Sequence, residues 1–229
     1  MSEIPDTQQL KANMKKAYDD IAPVSLTWTE SSHKERLLRL EPLIATLEPK
    51  EDHQVNVLEL GCGAGVPCTQ LLASKPHINV TGNDISSTQI ALARETLPSS
   101  VELIEGDMMG LEFNPEQFDA VLAMYSLIHL PREEQREILR RIRTWLKPGG
   151  RFLANFSADG FLGAVDNSWL GGKEGAVFWS GWGREKTNEI MREIGFALEV
   201  DEITESVEED SNGVGISVPF HWVQARKSS

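Results

Sequence analysis

Val55-Asn56-Val57-Leu58-Glu59-Leu60-Gly61-Cys62-Gly63-Ala64-Gly65 is the stretch around which the chain is organised. It opens as a short apolar run, the pattern of a strand buried in the middle of a parallel sheet. An acid, Glu59, stands at its tip. Glycines at 61, 63 and 65 allow a tight turn and leave no Cβ between the backbone and a ligand. A helix is expected from about Val66 to Ala73, with its first N–H groups directed into the same space. Strand, glycine turn and helix in that order make a site for a nucleotide-like molecule. The dinucleotide fingerprint Gly-x-Gly-x-x-Gly needs a glycine at 66, where the chain has Val66. No Gly-Lys-Ser/Thr follows, so the turn is not a phosphate-cradling P-loop.

The pattern Glu59-x-Gly61-x-Gly63-x-Gly65 resembles the cofactor motif of class I S-adenosylmethionine-dependent methyltransferases, and the order of later elements strengthens the resemblance. Ile78 to Thr81 reads as a second strand, followed by Gly82-Asn83-Asp84-Ile85-Ser86. Asp84 lies 19 residues past Gly65, where an acid can accept hydrogen bonds from both ribose hydroxyls. The alternative is that Asp84 only helps Ser86 or Ser87 cap the next helix, Gln89 to Thr96. Ile85 can lie against one face of the adenine. A third strand, Val101 to Ile104, ends in Glu105-Gly106-Asp107-Met108. The resemblance implies that Asp107 accepts from the adenine amine and that Met108 packs on the ring; an Asx-type bend at Asp107 is the simpler reading. The fourth strand, Phe118 to Ala123, runs into Met124-Tyr125-Ser126-Leu127-Ile128-His129-Leu130-Pro131. By resemblance Met124 and Tyr125 border the methionyl group and the methyl donor, as does the turn with Cys62. Pro131 opens a helix with Ile138, Leu139, Ile142, Trp145 and Leu146 on one face. Leu146-Lys147-Pro148-Gly149-Gly150 before a fifth strand, Arg151 to Phe156, is a further family feature.

The expected fold is an α/β domain with a Rossmann-like, seven-stranded, mostly parallel sheet, a C-terminal antiparallel strand, and helices on both faces. Residues 1–50 form an N-terminal helical cap on the domain at 51–229. The first cap helix, about Thr7 to Asp20, is expected to stop at Ala22-Pro23. A linker, Ser25 to Thr29, carries Trp28. The second helix starts near Ser32, where Ser32 and Glu35 have capping-box spacing. It buries Leu37, Leu40, Ile44 and Leu47, and Pro42 is expected to bend it. The cap either simply packs on the sheet or closes over the cofactor, with Tyr18 and Trp28 reaching in. Residues 157–183 hold seven glycines and three of the six tryptophans. That composition reads as a loop with apolar anchors, either packed on the body or lining an acceptor pocket. In the second case Phe161, Trp179 and Trp182 join Ser126 and His129 as substrate-binding candidates. A helix at Arg184 to Ile194, a sixth strand at Ala197 to Ile203, a turn at Asn212 to Gly215 and a seventh strand at Ser217 to Arg226 complete the chain. Glu199 to Asp210 carries seven acids and no base, the composition of a solvated surface.

A chain of 229 residues with 40% apolar content suits one such domain. Its net charge of −13 disfavours nucleic acid and anionic membrane surfaces as partners. A soluble, cytoplasmic enzyme is expected. Cys62 and Cys68 flank the turn, where a disulfide would clash with strand, turn and helix. No Cys/His cluster has zinc-ligand spacing, so no metal is expected. No apolar run is long enough to span a bilayer, and Met1 to Leu10 lacks a signal-peptide apolar region.

The resemblance implies S-adenosylmethionine as cofactor and in-line displacement at its sulfonium methyl. Holding the reactants in line in a dry pocket removes much of the barrier, so a base is optional for an amine or thiolate acceptor. A phenol, with a pKa of about 10, gains from one. His129 stands beside the transfer edge and is the candidate base, with a packing or positioning role as the alternative. His33 falls on a cap helix, His221 on the last strand, and His53 and His77 in connections. The chain is most similar to small-molecule methyltransferases of ubiquinone and menaquinone biosynthesis. The similarity rests on the cap, on Tyr18-Asp19-Asp20-Ile21-Ala22, and on Tyr125-Ser126-Leu127-Ile128-His129. The Asn/Asp-Pro-Pro-Tyr/Phe signature of DNA amino-group methylation is absent; Met124-Tyr125-Ser126-Leu127 takes its place. A small, apolar or aromatic acceptor, methylated on oxygen or nitrogen, is therefore expected. A non-methylating enzyme or a regulatory binding module with the same cofactor site are the alternatives.

Overall fold

The computed structural model describes residues 6–47, 54–209 and 215–228. His53, the boundary at 50/51 and the expected turn at 212–214 lie outside the described residues. The quoted stretch forms β1 (Val55–Leu60), which pairs in parallel with β2 (Ile78–Asp84) on one side and β4 (Phe118–Ala123) on the other. β3 (Glu102–Glu105) lies outside β2, and β5 (Leu146–Ser157) outside β4. β9 (Gly215–Lys227) pairs antiparallel with β5 and with β8 (Phe196–Glu209), giving the order β3-β2-β1-β4-β5-β9-β8. β9 thus runs against the other six strands, as the sequence predicts.

Alternation along the strands sends side chains to two covered faces. Leu58, Val121 and Phe152 pack with Ile138, Ile142 and Trp145 of α5 (Arg132–Trp145) and Ile190 and Met191 of α6 (Arg184–Ile194). Val57, Val80, Leu122 and Leu153 pack with Leu72 of α3 (Cys68–Ala73), Ala93 of α4 (Ser87–Thr96) and Leu40 and Leu43 of α2 (Glu30–Ile44). Each such aliphatic side chain contributes roughly 1.5–3 kcal/mol by leaving water. The strand order reverses at β1: the chain first builds toward β3, then returns to build toward β5. Connections leave β1 and β4 in opposite directions, and a crevice opens at their carboxyl ends.

Five expectations are corrected. α1 runs from Thr7 to Trp28, straight through Pro23. Pro23 is exposed, and the turn beyond it is held by tertiary bonds: buried Ser25 Oγ donates to the Ala22 carbonyl at 3.0 Å and accepts from Gln89 Nε2 at 2.8 Å. One missing backbone bond does not outweigh that anchoring. α2 starts at Glu30, and the capping box does not form; Ser32 Oγ donates to the Thr29 carbonyl and Glu35 pairs with Arg39. The helix behind the glycine turn begins at Cys68 rather than Val66, with Pro67 at its N-cap, a helix start where a residue without an N–H costs no intrahelical bond.

The fourth correction concerns 157–183, which is not a loop. It forms β6 (Gly160–Asp166), a 3-10 turn at Trp169–Gly171 and β7 (Val177–Trp182), paired as a separate antiparallel hairpin. Val177 and Phe178 of β7 pack against Leu10, Met14 and Ala17 of α1. The acids of Glu199 to Asp210 are also not simply solvated: Glu199 pairs with Arg151 and Arg226, Asp201 with Arg184, and Glu202 with Arg39. Cys62 and Cys68 are free and buried. Among the described residues no helix is long and apolar enough to cross a membrane, and no cluster of His, Cys, Asp and Glu could hold a metal ion.

Candidate active site

A cavity of about 1020 Å³ fills the crevice at the carboxyl ends of β1, β2 and β4, roofed by α1 and α2. The Tyr18-Asp19-Asp20 sequence fixes that roof. Asp19 accepts from Ser86 Oγ at 2.7 Å and from the Thr88 N–H at 3.1 Å, so it serves as a second cap of α4. Asp20 Oδ2 accepts from the N–H groups of Lys173 and Glu174 at 2.7 and 3.2 Å, tying α1 to the hairpin. Between them Tyr18 enters the cavity. Lys11 adds ion pairs to Asp107 at 2.7 Å and Glu134 at 2.8 Å.

The floor is the glycine turn. Gly61 has φ +72°, and a Cβ there would stand 2.4 Å from Ser126 Cβ. The turn and the chain after β4 therefore meet with no room for a side chain. The Gly63 N–H donates to Asp84 Oδ2 at 2.9 Å, and the Ser86 N–H donates to Asp84 Oδ1 at 2.9 Å. Asp84 thus supports the start of α4, whose N-cap is Ser86, and lines the cavity as well. Burial pushes its carboxyl above the usual range, a rise opposed by these two backbone bonds. Ile85, Asp107 and Met108 continue the same wall. Asp107 makes the Asx-type bend, accepting from the Met109 N–H at 2.9 Å, while its other oxygen takes Lys11.

On the far side, Tyr125 sits at φ +56°, a left-handed conformation rare for a bulky residue. Its N–H donates to Asn155 Oδ1 at 2.6 Å, and its ring packs against Phe220 and Trp222. Met124, Ser126 and His129 also line the cavity. His129 is held at both ring nitrogens: Nδ1 lies 2.7 Å from the Phe178 carbonyl and Nε2 2.8 Å from the Tyr18 hydroxyl. A carbonyl only accepts, so Nδ1 carries the proton and Nε2 accepts from Tyr18. Burial pushes His129 down to about 4, against the opposing bond to Phe178.

The rest of the wall is aromatic. Trp169 makes edge contacts with Tyr18, Trp28 and Trp179, with ring centroids at 5.8, 5.2 and 5.7 Å. Trp28, Phe161 and Trp179 reach the cavity as expected. Trp182 does not. It packs beside the core cluster, its Nε1 donates to the Arg132 carbonyl, and the Arg132 guanidinium lies 5.0 Å from its ring. Gly65 is also off the wall; its α-carbon faces Leu97, where a Cβ would stand 2.5 Å from Leu97 Cδ1. Trp169, Met14, Arg36 and Asn155 carry structural weight here and are absent from the sequence-based set.

Glu59 is buried behind the turn, its Oε2 accepting from Thr69 Oγ1 at 2.5 Å, and it is not part of the cavity wall. Burial pushes its carboxyl up to about 7, opposed by Thr69 and by the charge of Arg36. Between the free-carboxyl value of 4.5 and 7, the folded chain holds a proton that the unfolded chain has lost. Stability therefore falls as pH rises across that window and levels off above it. Glu59→Gln is expected to flatten this limb. Urea midpoints measured from pH 4.5 to 8 check it, and an unchanged slope would mean that Glu59 is already ionised at pH 5.

An open α/β sheet with a glycine turn after β1, an acid at the end of β2 and another after β3 places a crevice at the carboxyl ends of the strands, where such sheets bind ligands. Residues 57–150 match the family model described as a methyltransferase domain. Among curated relatives, the methyltransferase GfsG of Streptomyces halstedii is 34% identical over 116 residues, covering 48% of this chain and 40% of that protein. The chain spans less than half the length of the curated relatives it matches first. Among solved structures, the DhpI–SAH complex aligns with a TM-score of 0.69 at 21% identity, covering 97% of this chain and 99% of that one. The [4+2]-cyclase SpnF aligns with a TM-score of 0.65 at 20% identity, covering 100% and 98%. At those identities the structural likeness is one of fold. Over residues 57–150 the chain is thus similar to a methyltransferase domain, and over nearly its whole length it shares the fold of these solved structures.

Proposed function

We propose that the protein transfers the methyl group of S-adenosylmethionine to a small, apolar or aromatic acceptor, on oxygen or nitrogen. The observation that carries this reading is one cavity with two unlike walls. Gly61, Gly63, Asp84, Ile85, Asp107 and Met108 form one, and Tyr18, Trp28, Phe161, Trp169 and Trp179 form the other. The first wall suits an adenosyl group: Asp84 offers an ionisable acceptor for a diol, and Ile85 and Met108 offer apolar surfaces for a flat ring. Ser126 Oγ, buried beside Gly61 with no hydrogen-bond partner among the described residues, offers a further polar contact. The second wall suits an acceptor with flat apolar surface. The bound cofactor supplies a methyl group on a cationic sulfur, and displacement in line with that bond is the chemistry it brings.

The chain's own residues exclude water and position the reactants. His129 is neutral across the physiological range and spends its free lone pair on Tyr18, so it orients that hydroxyl rather than removing an acceptor proton. His129→Ala is expected to lower turnover by less than about tenfold with cofactor saturating, and to leave the pH profile unchanged in shape from pH 5 to 8. A general base is worth roughly 10²–10⁴-fold, so a loss of that size would restore His129 as the base.

The reading is tested by cofactor turnover against a panel of phenols, amines, thiols and carboxylates, with the product located by mass. Release of S-adenosylhomocysteine together with a methylated small molecule is expected. A product isomeric with its substrate, formed with no S-adenosylhomocysteine, would assign the site to a rearrangement or cyclisation instead.

A further inference from the structure

Five aromatic rings border one part of the cavity, and four of them close a circuit. Tyr18 meets Trp169 at 5.8 Å between ring centroids, Trp169 meets Trp179 at 5.7 Å, Trp179 meets His129 at 5.8 Å, and His129 returns to Tyr18 at 5.5 Å. Trp28 adjoins Trp169 at 5.2 Å, and all five side chains line the cavity. Successive rings of the circuit are turned by 48° to 80°. That arrangement surrounds a point; it does not sandwich a plane. No side exceeds 5.8 Å, so the centre lies within about 6 Å of all four centroids, the range over which ring faces attract a cation.

The circuit holds no base. The Tyr18 hydroxyl donates to His129 Nε2 at 2.8 Å and His129 Nδ1 donates to the Phe178 carbonyl at 2.7 Å, so the imidazole keeps no lone pair for an acceptor proton. The carboxylates on the cavity wall lie outside the circuit and are already engaged. Arg39 pairs with Glu35, the Gly63 and Ser86 N–H groups bond Asp84, Lys11 pairs with Asp107, and Ser217 bonds Glu205. Lys11, Lys34 and Arg36 also line the cavity outside the circuit, and Arg36 lies over Tyr125.

These features sort the possible acceptors. A phenol ionises near about 10 and wants a base, and its anion gains nothing from the negative faces of the rings. A neutral amine needs no base to attack. Its nitrogen lone pair forms the new N–CH3 bond while the CH3–S bond breaks with its electron pair left on sulfur. The positive charge thus passes from sulfur to nitrogen and stays in the cavity. A tertiary amine moves no proton; a primary or secondary amine binds in its neutral form, and the extra proton of the product leaves to water.

We propose that Tyr18, His129, Trp169 and Trp179 form an ammonium-binding cage, and that the acceptor is an amine whose methylated product is held there as a cation. The inference rests on the proposed S-adenosylmethionine site and narrows its acceptor atom to nitrogen. Aromatic rings around a methylated ammonium replace its hydration without forming an ion pair.

The test is calorimetric titration of protein saturated with S-adenosylhomocysteine, using 3-(trimethylammonio)phenol and its neutral isostere 3-tert-butylphenol. The two probes share a ring, a hydroxyl and a shape, and differ in charge. Wild type is expected to bind the ammonium roughly 5- to 30-fold more tightly, the worth of cation–π contact in a desolvated site. Trp169→Leu, which keeps apolar bulk without a π face, is expected to bring the two probes within about twofold of each other, and Trp169→Phe to retain part of the preference. Equal affinities in wild type, tighter binding of the neutral probe, or no binding of the ammonium would overturn the proposal. A preference untouched by Trp169→Leu would overturn the cage as its source. Urea midpoints check that the variants fold, and the wild-type comparison decides the matter if Trp169→Leu does not. Wild type that fails to bind S-adenosylmethionine sinks the functional reading; wild type that binds it and prefers the neutral probe sinks this inference alone.

Discussion

Asp84→Ala is expected to weaken S-adenosylmethionine binding by at least about 100-fold while the chain remains folded. Hydrogen bonds to a charged group contribute roughly 1.5–3 kcal/mol each, and a carboxylate facing a ribose diol accepts two. Loss of both corresponds to roughly 10²–10⁴ in affinity. The substitution also strands the Gly63 and Ser86 N–H groups, which Asp84 now satisfies. The turn then loses the bond that ties it to the start of α4, and preorganisation is lost along with direct contact. Asp84→Asn keeps a carbonyl acceptor and the side-chain shape, so an intermediate loss is expected. Calorimetric dissociation constants check both variants. A change of less than about threefold in Asp84→Ala would leave Asp84 with the capping role only.

Gly61→Val is expected to abolish cofactor binding and to lower folding stability by about 2–5 kcal/mol. The residue holds φ +72°, where a β-branched side chain is a steric outlier, and its Cβ would overlap Ser126 Cβ at 2.4 Å. Overpacking of this kind costs about 1–3 kcal/mol, and a left-handed backbone adds about 1–2 kcal/mol. Relief requires the turn to separate from the chain after β4, and that separation opens the floor of the cavity. Ser126→Gly in the same chain removes the facing Cβ, so partial recovery of stability is expected without recovery of unstrained backbone. Urea unfolding and calorimetry read the two effects separately; a Gly61→Val protein with native stability and affinity would contradict the described turn.

Much of the scaffold was legible because its signals are local. β1, β4 and α6 fall where apolar runs and a closing glycine put them, at Val55–Leu60, Phe118–Ala123 and Arg184–Ile194. Asp84 was legible by spacing and Asp107 by the family resemblance, and both reach the cavity. What was not legible depends on contacts far apart in the chain. Pro23 reads as a helix end, yet the Ser25–Gln89 bond spans 64 positions and carries the helix past it. Seven glycines between 157 and 183 suggest a loop, but β7 is held by burial of Val177 and Phe178 against α1. Had β7 been read as a strand, its period of two would have separated Trp179 from Trp182, which are three apart and therefore face opposite ways. That rule accounts for Trp179 on the cavity wall and Trp182 beside the core. Arg36 and Asn155 had no sequence signal at all. An arginine on an amphipathic helix and an asparagine within an apolar strand become site residues only once α2 crosses the ends of β4 and β5.

The cap changes meaning in the same way. Tyr18-Asp19-Asp20 resembled a family feature in sequence without a stated mechanism. In the structure Asp19 ties α1 to α4, Asp20 ties it to the hairpin, and Tyr18 enters the cavity between them to meet His129. Three adjacent side chains therefore set the height of the roof over the proposed donor site.

The most direct measurement is a calorimetric titration of the wild-type protein with S-adenosylmethionine, S-adenosylhomocysteine and NAD. Saturable one-site binding of S-adenosylmethionine, displaced by S-adenosylhomocysteine and indifferent to NAD, is the expected result. Binding of NAD with none of either S-adenosyl compound would contradict it.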